Sequence, residues 1–210
     1  MDRSTLILYA ITDSQEKLAM PVAQAVEEAI LGGATIIQLR EKYLTGETLE
    51  KEAREVLGVC RRHGIPLLIN DDVALAAGIG ADGVHLGQDD MPLEEARRIL
   101  GPQAIIGITA KTIPLALAAQ RGGADYIGSG AVFGTKTKAD ARPMDHDTFQ
   151  SICEAVTIPV VAIGGIEAGN LETLRGRGMS GFAIVGGIFH QPDIKKAAEE
   201  LKTIAVRTLS

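Results

Sequence analysis

A chain of 210 residues with 46% apolar and 23% charged side chains can bury a large core beneath an ordinary polar surface. Its net charge of −6, lack of tryptophan and 3% aromatic content exclude a nucleic-acid binder built on a basic face or base-stacking platforms. No apolar run reaches the roughly 18 residues of a membrane span, and the opening Met1-Asp2-Arg3 lacks the form of a secretory signal.

Eight apolar, β-branched stretches follow one another: Leu6–Thr12, Thr35–Leu39, Pro66–Asn70, Gly83–Leu86, Ile105–Thr109, Tyr126–Ser129, Pro159–Ile163 and Gly181–Val185. Continuous rather than alternating hydrophobicity marks parallel strands covered on both faces. The segments between them carry helix signals. Glu47 and Lys51 share a polar face of a helix from Thr45 to Arg62, Pro92 fits a first helical turn, and Asn170 suits an N-cap. Glycines at Gly32-Gly33, Gly80, Gly122-Gly123 and Gly178 stand where helices must turn back into strands. Eight β-then-α units with no interruption predict one (β/α)8 (TIM) barrel spanning 1–210, in preference to an open doubly wound sheet. Cys60 and Cys153 lack C-x-x-C spacing and read as small buried hydrophobes of a reducing compartment, so a cytoplasmic location is expected. The oligomeric expectation is a monomer or small homo-oligomer.

In such a barrel the chemistry sits at the carboxyl ends of the strands. Gln38, Arg40 and Lys42 alternate at the end of the second strand and are expected on one side. Two cations there need an anion, either a phosphate or the nearby Glu41 and Glu47. The third and fourth strands end in Asn70-Asp71-Asp72 and Gly87-Gln88-Asp89-Asp90. Asp71 and Asp90 lie on neighbouring strands and could share a hard cation such as Mg2+. Asp72 and Asp89 could instead cap the helices that follow. Gly134-Thr135-Lys136-Thr137-Lys138 offers amides, hydroxyls and cations to a phosphate without being a Walker A loop. Gly164-Gly165 and Gly186-Gly187 match the phosphate loops after strands 7 and 8, or simple tight turns. His85 reads as a satisfied core histidine, and His63, His146 and His190 show no ligand spacing. With no nucleophile or dedicated base in view, the inventory suits departure of a diphosphate.

These segments, with Gly80-Ala81-Asp82-Gly83-Val84-His85-Leu86 and Ala162-Ile163-Gly164-Gly165-Ile166, resemble the signature segments of the thiamine phosphate synthase family from the first strand to the last. The resemblance implies a transferase that joins 4-amino-5-hydroxymethyl-2-methylpyrimidine diphosphate to a thiazole phosphate, giving thiamine phosphate and pyrophosphate. It implies Mg2+ on Asp71 and Asp90. It places the diphosphate on Arg40, Lys42, Asn70 and Lys138, with Arg40, Lys42 and Lys138 in the catalytic role. Gln38 and Thr109 would lie near the pyrimidine. Thr135, Thr137, Gly165, Val185 and Gly186 would hold the thiazole phosphate.

Two departures from the family pattern stand out. Gly130-Ala131 replaces a common Gly-Pro, which is expected to loosen the loop that follows. Gly186 replaces a common serine, which removes a hydroxyl from the second phosphate site. Competing readings are a thiazole tautomerase-like isomerase and a non-catalytic thiamine phosphate-binding barrel. The first would use a histidine where Lys111 stands, and the second would need no metal pair.

Overall fold

A computed structural model describes residues 1–134 and 143–210. Eight strands pair in parallel and in sequence order into a closed barrel: β1 Leu8–Ile11, β2 Ile36–Leu39, β3 Leu67–Asn70, β4 Gly83–Leu86, β5 Ile105–Thr109, β6 Tyr126–Gly130, β7 Val160–Ile163 and β8 Gly181–Ile184. The ring closes between β8 and β1, with Leu8 opposite Phe182 and Ala10 opposite Ile184. Around it run α1 Val22–Leu31, α2 Gly46–His63, α3 Val73–Ile79, α4 Leu93–Leu100, α5 Ile113–Arg121, α6 His146–Ala155, α7 Gly186–Phe189 and α8 Ile194–Leu209.

The continuous apolar strands follow from two cores. Outward residues such as Leu8, Ala10, Ile37, Leu39, Leu67, Ile69, Val84 and Leu86 pack beneath the helices. Alternate residues Tyr9, Ile11, Ile36, Leu68, Tyr126, Val161 and Ala183 fill the barrel itself. Side chains that alternate between two apolar layers leave no polar face to read.

The glycine junctions take the expected form: φ is 103° at Gly33, 70° at Gly80, 86° at Gly123 and 85° at Gly178. At Gly80 the left-handed turn sends its N–H back to the carbonyls of Ala76 and Ala77, closing α3.

Three local expectations change. The first strand is shorter than Leu6–Thr12, because Arg3–Leu6 forms a 3-10 turn that Asp2 caps through the Ser4 N–H at 3.0 Å. After β7 the chain makes only a 3-10 turn, Leu171–Leu174, and Asn170 does not cap it with its side chain. Instead Asn170 Oδ1 accepts the Glu167 N–H at 2.9 Å and Nδ2 donates to the Gly165 carbonyl at 2.8 Å, pinning the loop after β7. Asp72 caps α3, whereas α4 starts from Pro92 and not from Asp89.

Cys60 is buried and Cys153 half-buried, both as free thiols. Burial, with Asp82 near the first and Glu154 near the second, pushes both up to about 12, so they stay as inert thiols near neutral pH. Among the described residues no helix is long and apolar enough to cross a membrane.

Candidate active site

Gln38 and Thr109 are brought together by a polar chain through the barrel interior. Gln38 Nε2 donates to Tyr9 Oη at 2.5 Å, and Tyr9 Oη lies 2.8 Å from Tyr126 Oη. Tyr126 Oη lies 2.9 Å from His85 Nδ1, and His85 Nε2 lies 2.9 Å from Thr109 Oγ1. One arrangement lets every hydroxyl both give and take: hydrogens then run one way from Gln38 to Thr109. Burial raises both phenols well above their ordinary value, so they serve as neutral donors and acceptors and not as bases. His85 is thus satisfied, as expected, but it also forms part of the floor beneath the mouth. Tyr9 and Tyr126 were not singled out from the sequence. A tyrosine inside an otherwise aliphatic parallel strand was the available signal, since its hydroxyl must find a partner there.

Arg40 follows β2 and is 5% exposed, with its guanidinium Nη1 3.7 Å from Oδ1 of Asp13. Asp13, itself 2% exposed, comes from the end of β1 and also lies 3.0 Å through Oδ2 from His190 Nε2. The anion facing Arg40 is therefore Asp13, and neither Glu41 nor Glu47. Glu41 turns to the backbone, accepting the N–H groups of Gln15, Lys42 and Tyr43 at 3.0, 2.6 and 2.8 Å. Partial burial pushes the Glu41 carboxyl up, but these bonds outweigh that effect and hold it below the ordinary range. The expected shared face of Gln38, Arg40 and Lys42 does not extend along a strand. The strand ends at Leu39, and Lys42 is exposed on a loop tied by Glu41 and Ser14.

Lys42, Asn70, Asp71 and Asp72 line one cleft of about 440 Å³, walled by Leu39, Leu49, Ile69 and Leu75. Asp71 has φ of 63°, the one left-handed non-glycine among the described residues. Asn70 Nδ2 donates to its Oδ2 at 2.6 Å. Aspartate tolerates this backbone better than most residues, and such outliers cluster where a side chain must be aimed. Asp90 sits beyond the adjacent β4, and its Oδ2 accepts the Gly87 N–H at 2.6 Å. Among the described residues no group of three His, Cys, Asp or Glu side chains converges.

Asp72 does separate work. Its Oδ1 accepts the Leu75 N–H at 2.8 Å. Asp72→Ala is expected to cost about 1 kcal/mol through the lost cap while leaving turnover close to wild type. Thermal denaturation and a rate measurement on the same sample check both halves.

The loops after β7 and β8 meet. A Cβ at Gly165 would stand 2.1 Å from the Gly134 carbonyl, and one at Gly187 2.7 Å from the Ile166 carbonyl. These close approaches explain why both positions carry no side chain. The chain after β6 is tied to the loop after β7 as far as Phe133. Ala131 and Val132 are buried, and the N–H groups of Val132 and Phe133 bond the carbonyls of Ile163 and Gly164 at 3.0 and 3.1 Å. Val185 and Gly186 lie at the end of β8 beside His190. Thr135, Thr137 and Lys138 lie outside the described residues.

A family model described as thiamine monophosphate synthase matches residues 8–188. The thiamine-phosphate synthase of Ruminiclostridium cellulolyticum is 44% identical over 95% of this chain and 95% of its own length. That of Clostridium tetani is 42% identical over 92% of this chain and 93% of its own. A solved structure of thiamine phosphate pyrophosphorylase from Pyrococcus furiosus superposes with a TM-score of 0.90 at 38% identity, covering 99% of each chain. The barrel, its strand-end polar residues and these likenesses along its length together place the chain in the thiamine monophosphate synthase family.

Proposed function

We propose that the chain is a thiamine phosphate synthase that joins a pyrimidine diphosphate to a thiazole phosphate at the carboxyl end of the barrel. The observation that carries this reading is the clustering of Lys42, Asn70 and Asp71 in one cleft at the carboxyl ends of β2 and β3, in a fold shared with relatives that bear that name. The bond from the pyrimidine methylene carbon to the diphosphate oxygen breaks, its electron pair leaves with pyrophosphate, and the thiazole nitrogen lone pair forms the new C–N bond.

Gln38 and Thr109 orient the pyrimidine from the two ends of their hydrogen-bonded chain, above the buried residues that fill the barrel. Arg40 offers the diphosphate a planar fork already fixed by Asp13, and Lys42 adds a mobile charge from the loop. Asn70 aims Asp71. Lys138 completes the diphosphate grip, with Thr135, Thr137, Gly165, Val185 and Gly186 around the thiazole phosphate; these assignments rest on the family resemblance. Asp71 and Asp90 follow the neighbouring strands β3 and β4 and are the carboxylates that the family resemblance gives to Mg2+, an ion that keeps waters and shares substrate phosphates. When bound there, Mg2+ would neutralise charge on the departing diphosphate. Two unreactive thiols suit work in the cytoplasm.

Mixing both substrates with the protein and Mg2+ should release pyrophosphate and thiamine phosphate in equal amounts. A chelator should stop the release, and added Mg2+ should restore it. Binding of thiamine phosphate without any turnover would replace the synthase reading with a binding barrel. Turnover unaffected by chelation would remove the metal.

A further inference from the structure

We propose that His190, braced by Asp13, is a side chain that contacts the phosphate of the thiazole substrate in this enzyme. The inference rests on reading the loops after β7 and β8 as the second phosphate site. It goes beyond that reading by naming a residue that no strand-end motif marks.

Gly186 leaves a gap that His190 fills. A Cβ at Gly186 would stand 3.0 Å from His190 Nδ1 and 3.6 Å from Cε1, so the imidazole edge lies over the bare Cα. The ring is held from its other side, with Nε2 3.0 Å from Oδ2 of Asp13. A carboxylate only accepts, so Nε2 carries the hydrogen and Nδ1 faces Gly186. The His190 side chain remains 37% exposed while that of Asp13 is 1% exposed, which leaves the ring open to a ligand and its brace closed to water.

Few alternatives exist among the described polar side chains of these two loops. Gln191 Nε2 is committed to the Gly186 carbonyl at 3.1 Å, and Asn170 to Glu167 and Gly165. Glu167 carries the wrong charge. A phosphate oxygen at Nδ1 together with Asp13 at Nε2 would hold the ring between two anions, with an N–H given to each. Asp13 also accepts the Ser14 N–H at 2.9 Å and faces Arg40 at 3.7 Å. One buried carboxylate thus braces the cation of the diphosphate site and the histidine of the second phosphate site. Asp13 is a positioning residue for both.

The test compares thiamine phosphate with thiamine, ligands that differ only in the phosphate, by calorimetric titration into wild type, His190→Ala and the double variant His190→Ala/Gly186→Ser. His190→Ala should weaken thiamine phosphate by about 10- to 100-fold and leave thiamine within about twofold. In steady state its KM for the thiazole phosphate should rise by a similar factor, with the KM for the pyrimidine diphosphate and kcat nearly unchanged. The double variant places a hydroxyl in the vacated space and should recover part of the loss. An unchanged preference for the phosphate overturns the proposal. So does an equal rise in both KM values, which would make His190 only a prop for Asp13 and Arg40. The titration reads the phosphate contact even if turnover is absent, so failure of the synthase reading and failure of this one are told apart.

Discussion

Asp71→Asn is expected to lower kcat/KM by about 100-fold or more and to move the Mg2+ dependence to higher concentration, with the fold intact. Asparagine is the informative replacement because Asp71 has φ of 63°. Asparagine accepts that conformation, whereas alanine there adds about 1–2 kcal/mol of backbone cost that would blur a catalytic loss with a structural one. The amide keeps the size of the carboxylate and a group that can meet Asn70, and removes only the charge. Asp71→Ala should lose turnover to at least the same degree while also melting somewhat earlier. Rates measured across a Mg2+ series decide the matter. An Asp71→Asn enzyme with the wild-type rate and wild-type Mg2+ dependence would remove Asp71 from the metal assignment.

Gly107→Ala is expected to damage both stability and substrate binding. Gly107 lies on β5 with its open side toward the barrel interior, where a Cβ would stand 2.0 Å from Tyr126 Cζ and 2.3 Å from Oη. Tyr126 cannot yield freely. Its ring packs edge-on to Tyr9 with centroids 5.8 Å apart, lies 5.6 Å from His85, and its hydroxyl bonds both. Overpacking of this kind costs about 2–3 kcal/mol, or a melting temperature lower by roughly 5–10 °C for a chain of this size. Because any shift of Tyr126 disturbs the Gln38–Thr109 chain, the KM for the pyrimidine diphosphate should rise as well. Gly58→Ala provides the contrast. It sits in the middle of α2, where a Cβ would meet nothing nearer than Arg62 Nη1 at 4.0 Å. That change should stabilise by roughly 0.5–1 kcal/mol and leave both KM values alone. Equal melting temperatures for the two variants would refute the interior clash.

How much of this was legible beforehand differs by element. Strands β4 and β5 begin and end where the apolar runs do, β1 is shorter at both ends, and the others differ by one residue at one end. Parallel strands buried on both faces announce themselves through continuous hydrophobicity, and the glycines before them do so because a left-handed turn admits few other residues. The turn after β7 was less legible. Asn170 has the right identity for a cap, but its side chain finds better partners across the loop at Glu167 and Gly165. A local pattern cannot register that competition.

The strand-end residues were legible as types: cations after β2, carboxylates after β3 and β4, bare glycines after β7 and β8. Their partners were not. By itself the sequence determined the closed barrel, the end of it that carries chemistry and, through its resemblance, the family, because each follows from residues close in the chain or from a pattern repeated along it. Only the tertiary structure decided that Asp13 and not Glu41 faces Arg40, that Tyr9, Tyr126 and His85 join Gln38 to Thr109, and that His190 fills the space above Gly186. Asp13 and His190 stand 177 residues apart. Barrel closure of β8 against β1 is what makes them neighbours, and no short-range signal carries that contact.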